Sequence, residues 1–400
     1  MHIVTSTDIL LPRAEDMGAW SVIACDQFTS EPEYWAAAEA RAAERPSTLS
    51  LMLPEAWLHT ARADGADGRI ADTMRRYLAE GVFQTVPDSF IYVERTLSDG
   101  RVRCGLVAAL DLEQYDFTGT QRASVRSTEG TVEERLPPRV NIRRGAPLEM
   151  PHTLLLMDDR TDSVLSLAEK AKDTLEKVYD FDLMLGGGHI AGWRVSGETK
   201  AAVQSALDAL DNAALQREKY GDAAENGKLT FAVGDGNHSL AAAKRFWEEK
   251  RETLPENERE TDPARFALVE IENIHEPSLD FEPIHRVLFD TDTSAFAAKF
   301  TARRTEWEAE DKTLGERVAA AESFCRAYIA AHGGYIDYIH GDDTARSLGG
   351  KPNCAAVLLP PVEKSGLFLS VLKNGALPKK SFSMGNARDK RYYLECRKIR

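Results

Sequence analysis

Residues 230–247 read TFAVGDGNHSLAAAKRFW, an apolar run that breaks on two glycines and resumes with Leu240, Ala243 and Trp247 at helical spacing. The pattern predicts a strand, a tight turn and a helix opening near His238. Four polar residues crowd this turn: Asp235, Asn237, His238 and Ser239. Asn237 is a good helix N-cap in this reading, and the first N–H groups carry the positive end of the helix dipole, which binds anions and above all phosphates. Gly234 and Gly236 let backbone approach a ligand closely. Asp235 and His238 add a carboxylate and an imidazole suited to metal binding or proton transfer. The plainer alternative is a capped helix whose glycines only make the turn.

The standard nucleotide fingerprints are missing. GDGNHS lacks the third small residue of G-x-G-x-x-G, and GGGHIAGW (186–193) lacks the Gly-Lys-Ser/Thr of a P-loop.

Outward from the turn, strand and helix patterns alternate irregularly. FIYVERTL and RVRCGLVAALDL flank a Ser-Asp-Gly turn and predict a hairpin. His152–Met157 reads as a buried strand, Gln121–Gly145 as a long polar loop, and both AAVLLP and GLFLSVL as apolar strands. The fold expected is α+β, mixed sheets with flanking helices, with a doubly wound α/β sheet as the alternative. Length suggests two domains, residues 1–150 and residues 151–400, with the turn in the second and the site between them.

Composition bounds the function. Of 400 residues, 43% are hydrophobic and 28% charged, as in an ordinary globular protein. The net charge of −14 argues against a nucleic-acid binder. No apolar run approaches the ~18 residues that span a bilayer, and the N-terminus lacks a signal-peptide pattern. Five scattered cysteines without a CxxC pair fit reduced thiols in a cytoplasmic protein. Oligomeric state is not legible.

Other candidates for chemistry are spread along the chain. RSTEGTVEERLPPRVNIRRG (126–145) concentrates Arg126, Arg135, Arg139, Arg143 and Arg144, whose forks suit phosphate oxygens, around Glu129, which suits a base or a magnesium ligand. A solvated loop with surface ion pairs is the alternative. His189 follows three glycines and is either a site residue or a turn residue packed on Trp193. His285 and Arg286 form either a phosphate-binding pair or a structural one. Asp26, Gln27 and Thr29 follow a strand end, a usual place for substrate contacts. LPKKSFSMGNARDKRYY (377–393) reads as a docking or surface segment.

Five motifs, WSVIACDQFTSEPEYW, RSTEGTVEERLPPR, GDGNHSLAAAK, PIHR and PKKSFSMGNARDKRYYLE, together resemble domain-of-unknown-function family 1015 over essentially the whole chain. Its Asp-Gly-x-His turn resembles that of the ParB/sulfiredoxin superfamily, which binds nucleotide phosphates and includes free-serine kinases. Asp235, Gly236 and His238 match that turn, whereas Ser239 stands where an arginine is usual. The resemblance implies a kinase of free L-serine that uses pyrophosphate to make O-phosphoserine, and phosphoryl-transfer chemistry adds Mg2+ as the expected cofactor. Taken together with the residue readings above, the resemblance leaves catalysis to Asp235, His238 and Glu129, metal to Asp235 and Glu129, and phosphate binding to Gly236, Asn237, Ser239, Arg126, Arg143, His285 and Arg286. Asp26, Gln27, Thr29 and His189 are left for the substrate. A nucleotide as donor, a non-catalytic phosphate-binding protein and a phosphoserine phosphatase remain open.

Overall fold

The fold is described from a computed structural model, which covers residues 2–119, 122–131, 133–150, 152–307, 309 and 312–400. Its centre is an 11-stranded mixed sheet that takes strands from both sides of residue 150. The edge hairpin Glu176–Asp182 and His189–Val195 leads into Phe83–Thr96, Val102–Asp111 and Phe266–Asn273, all antiparallel. Leu154–Met157 then pairs parallel to Phe266–Asn273 and antiparallel to Phe231–Asp235, and Val125–Ser127 runs parallel beside the latter. The α+β expectation holds, and so many antiparallel pairs exclude a doubly wound sheet.

Alternation along the central strands makes two apolar faces. Phe90, Tyr92, Leu106 and Val233 pack with Phe246 and Trp247 of the turn helix on one side. Ile91, Val93, Val107 and Leu268 pack with Trp20, Trp35 and Tyr392 on the other. Both faces are covered, so the strands read as nearly continuous apolar runs.

A second sheet joins Phe281–Phe289 to Tyr335–His340, Ala355–Val357 and Phe382–Met384. No described helix is long and apolar enough to cross a membrane.

Three local expectations need correction. GLFLSVL is not a strand: Leu367–Asn374 is a helix, burying Leu367, Phe368, Val371 and Leu372, whose spacing fits a helical face as well as a short apolar strand. The polar stretch before Gly145 is not all loop, because Leu136–Gly145 is a helix with Pro137 and Pro138 in its first turn, where their missing N–H groups are not needed. The tail is no surface segment: Tyr392–Tyr393 pairs with Val22–Ile23 in the interior.

Candidate active site

Gly236 decides the local geometry. Its φ is +78°, it occupies the N-cap position of the helix Asn237–Thr253, and a Cβ there would lie 2.8 Å from Thr153 Cα. Glycine therefore lets the segment of His152 and Thr153 press against the turn. Asn237 is the first helical residue and makes no cap, contrary to the sequence reading; its Oδ1 is buried without a hydrogen-bond partner.

Asp235 ends its strand. Its Oδ1 accepts from the Gly236 N–H at 2.8 Å, and its Oδ2 lies 3.0 Å from Lys390 Nζ. Burial pushes its pKa up, but the charge and hydrogen bond of Lys390 prevail and hold the carboxyl below its usual range. Glu129 leaves the parallel neighbour strand, and continuing the Ser127↔Val233 register sets it opposite Asp235. It accepts from the Ser381 N–H at 3.1 Å. Here burial wins, with repulsion from Asp235, and the pKa is raised although Ser381 and Lys380 pull it down. Two carboxyls at neighbouring strand ends are thus driven in opposite directions.

His238 is pushed down to about 4, first by burial and then by repulsion from Arg139, Arg135 and Lys379, against a weaker pull from Asp26. It is a neutral imidazole among cations, an arrangement that suits a bound anion.

Beside the turn opens a cavity of about 630 Å³, ordinary in size for a ligand pocket. Met52, Met74 and Leu148 form apolar wall, Arg135 and Arg139 line the cavity beside Glu134 and Glu55, the latter paired with Arg139, and Ser239, His152, Tyr393 and Cys25 complete the lining. His152 is buried, with Nε2 3.0 Å from Ser239 Oγ and Nδ1 2.7 Å from Tyr393 Oη. Tyr393 Oη in turn donates to Cys25 Sγ at 3.3 Å.

The tail supplies much of this ring of charge because the hairpin holds it down. Buried Arg95 donates to the carbonyls of Gly187, Arg388 and Lys390, and Arg103 to that of Asp389. Arg391 pairs with Glu270 and Glu395 in the same interior cluster.

Some sequence candidates thus converge on the turn and others do not. Thr29 lines the cavity, and Asp26 lies close enough to His238 and Cys25 to shift both. Gln27 donates its amide to Asp26 at 2.9 Å. Arg143 lines the cavity, bonded to Glu149 at 2.6 Å. Arg126 points its guanidinium at the carbonyls of Ala123, Asn226 and Lys228, beyond the start of the turn strand and so at the end opposite Asp235. His285 and Arg286 are fully buried in the second sheet. His285 Nε2 meets Asp342 and its Nδ1 accepts from the Leu359 N–H, while Arg286 bonds Glu322 and the carbonyls of Ile284 and Lys380. His189, between Asp180 and Asp182, lies on the edge hairpin. Five strand steps, about 24 Å at the usual spacing, separate it from the turn strand. The residues the sequence reading did not single out are His152, Lys390 and Tyr393. The last two lie within PKKSFSMGNARDKRYY, which the sequence alone suggested as a docking or surface segment.

The chain belongs to the family described as "Protein of unknown function (DUF1015)", whose model matches residues 7–398. No curated protein matches it. Among solved structures it is similar to a mutant free serine kinase in complex with AMP, at 9% identity and TM-score 0.36, over 72% of this chain and 91% of that one. It is also similar to a conserved hypothetical protein from Pyrococcus furiosus, at 9% identity and TM-score 0.33, over 73% and 95% of the two chains. SbnI from Staphylococcus aureus, truncated at its C-terminus, gives 9% and 0.33 over 70% and 82%. Likenesses this distant decide nothing about chemistry.

Proposed function

We propose that this protein is a phosphotransferase that moves a phosphoryl group from pyrophosphate to the hydroxyl of free L-serine. The observation that carries the reading is the pair of strand-end carboxyls, Glu129 raised and Asp235 lowered, beside a helix N-terminus and a cationic ring. Groups whose environments drive their pKa values apart are suited to divide acid–base labour.

Each residue has a role in this reading. Lys379, Arg135 and Arg139 attract the donor, and the first helical turn and neutral His238 bind its oxygens. Phosphoryl transfer needs little beyond such positioning and charge. Glu129, with its raised pKa, takes the proton of the acceptor hydroxyl. Asn237 Oδ1, buried without a partner, would accept a hydrogen bond from the acceptor ammonium. Asp26 and Thr29 close the acceptor side.

Among the described residues no group of three or more His, Cys, Asp or Glu side chains is arranged to hold a metal. Magnesium fits a sparser donor set, since it takes one or two carboxylates and fills its shell with water and substrate phosphate. Asp235, kept anionic by Lys390, would hold it, and Glu129 is left as the base. The ion would neutralise charge on the donor's oxygens.

The test is incubation with serine, magnesium and, separately, pyrophosphate, ADP and ATP, followed by detection of O-phosphoserine. Formation with pyrophosphate at the highest kcat/KM supports the reading. Equal or better use of a nucleotide defeats the donor, and no product with any donor defeats the activity.

A further inference from the structure

Ser239 and His152 come together from opposite sides of the turn, and the hydrogen bonds around them fix where the protons lie. The Tyr393 hydroxyl donates to Cys25 Sγ, whose thiol burial pushes up to about 12 and keeps protonated. With its proton so used, the phenol oxygen is an acceptor toward His152. With Tyr393 bonded to Cys25 in this sense, His152 Nδ1, 2.7 Å away, is assigned as the donor. That tautomer leaves Nε2 without a proton, so the contact of 3.0 Å is Ser239 Oγ–H donating to His152 Nε2.

A hydroxyl held by an unprotonated imidazole, which a third group orients from behind, is the arrangement of an activated nucleophile. Three surroundings agree with it. Ser239 stands in the first turn of a 17-residue helix, where the positive end of the helix dipole favours developing negative charge, although its own N–H is bonded to the Gly236 carbonyl at 3.0 Å. Ser239, His152 and Tyr393 all line the cavity, so the oxygen can be reached. The His152 ring is buried and stands edge-on to that of Tyr393, at 85° between planes, which locks its orientation.

The geometry points to Ser239 as a nucleophile activated by His152 and oriented through Tyr393, and, on the phosphotransferase reading, as the covalent carrier of the phosphoryl group. In the first half-reaction Ser239 Oγ attacks the terminal phosphorus of pyrophosphate. The Oγ–P bond forms, the bridging P–O bond breaks, and inorganic phosphate leaves with that electron pair. The Oγ proton passes to His152 Nε2. In the second half-reaction the hydroxyl oxygen of free serine attacks the same phosphorus and gives its proton to Glu129. Ser239 Oγ departs and takes its own proton back from His152. Tyr393 is a positioning residue: it holds the tautomer and touches no reacting atom.

Two reagents separate this proposal from the reading on which its donor rests. Diisopropyl fluorophosphate probes nucleophilicity alone, forming Oγ–P and expelling fluoride. Peptide mass spectrometry should find the adduct on Ser239, lost in Ser239→Ala and slowed at least 10²-fold in His152→Gln. In Tyr393→Phe, which keeps the ring, labelling should slow about tenfold with little change in melting temperature. With pyrophosphate and Mg2+ but no serine, rapid quench should trap a phosphoryl group on Ser239. Adduct formation on Ser239 with no O-phosphoserine from any donor supports the nucleophile while defeating the phosphotransferase. The proposal is overturned by absence of label on Ser239 from both reagents, or by wild-type labelling in folded His152→Gln. It is equally overturned by wild-type turnover in Ser239→Ala, or by turnover that never places phosphorus on Ser239.

Discussion

Replacing Lys390 by methionine keeps the stem and removes the charge that faces Asp235. The two side chains are 11% and 25% exposed and 3.0 Å apart. At an effective dielectric near 20, unit charges at that distance attract by about 5–6 kcal/mol before desolvation is subtracted. Removing one partner from a fully buried pair costs about 3–5 kcal/mol, because the other charge is left buried alone. Asp235 keeps a quarter of its surface in water, so the loss in Lys390→Met at neutral pH is set lower, at about 2 kcal/mol.

The pH dependence separates charge from packing. In the wild type the Asp235 carboxyl titrates below its unfolded value. Its stabilisation is therefore present above about pH 4 and lost as pH falls through the folded pKa. Without Lys390, burial meets weaker opposition and the carboxyl titrates above its unfolded value. Its contribution then changes sign, and stability falls as pH rises through the interval between the two pKa values. The deficit of Lys390→Met should accordingly widen between about pH 4.5 and pH 7.5 in urea denaturation. A deficit equal at both pH values would show that the lysine acts by packing, and the charge argument would fail.

An anion bound beside His238 should raise its pKa: its ring resonances, expected to titrate about 4 in the free protein, should titrate higher with pyrophosphate, and an unmoved titration would take the anion away from this residue. His238→Ala should lower kcat by roughly 10². Asn237→Ala should cost less than about 0.5 kcal/mol, against about 1 kcal/mol for a true cap, while weakening donor or serine binding; a full cap's loss on denaturation would contradict the Gly236 geometry. Arg126→Lys and Arg286→Lys should lower the melting temperature and leave donor affinity unchanged by calorimetry, since their guanidinium groups are bonded to carbonyls and Glu322. Glu129→Gln should lower kcat by roughly 10² or more and remove the acid limb of the kcat–pH profile, whose midpoint lies above that of an ordinary glutamate.

The strand, turn and helix of residues 230–247 were legible because a short apolar run gives way to a period near 3.6 across two glycines. The hairpin was legible from its Asp-Gly turn. What sequence spacing does not carry is burial. Arg126 and Arg286 looked like phosphate ligands by residue type, yet an arginine fork satisfies itself as well on backbone carbonyls, and only packing tells which is near. His152 drew no notice because its partners Ser239 and Tyr393 stand 87 and 241 residues away. Asn237 looked like a cap by residue type, whereas Gly236, read as room for a ligand, holds the cap position itself. Its left-handed backbone moves the helix start one residue earlier and releases the asparagine side chain.

Where the cations come from has a consequence for folding. The arginine-rich helix and the turn belong to the middle of the chain, but Lys379, Lys390 and Tyr393 arrive from its last residues, held by Arg95 and Arg103 of the hairpin. Contacts of such separation carry a large loop-closure cost, so the tail is expected to dock onto a sheet already assembled, an order that a Lys390→Met change in unfolding rate with unchanged folding rate would support. Until the tail docks, Asp235 has no Lys390 and Glu129 no Ser381 N–H. Two carboxyls then face each other without their main partners, and His152 lacks the Tyr393 oxygen that sets its tautomer. The turn can form early, but its protonation pattern belongs to the fully docked chain.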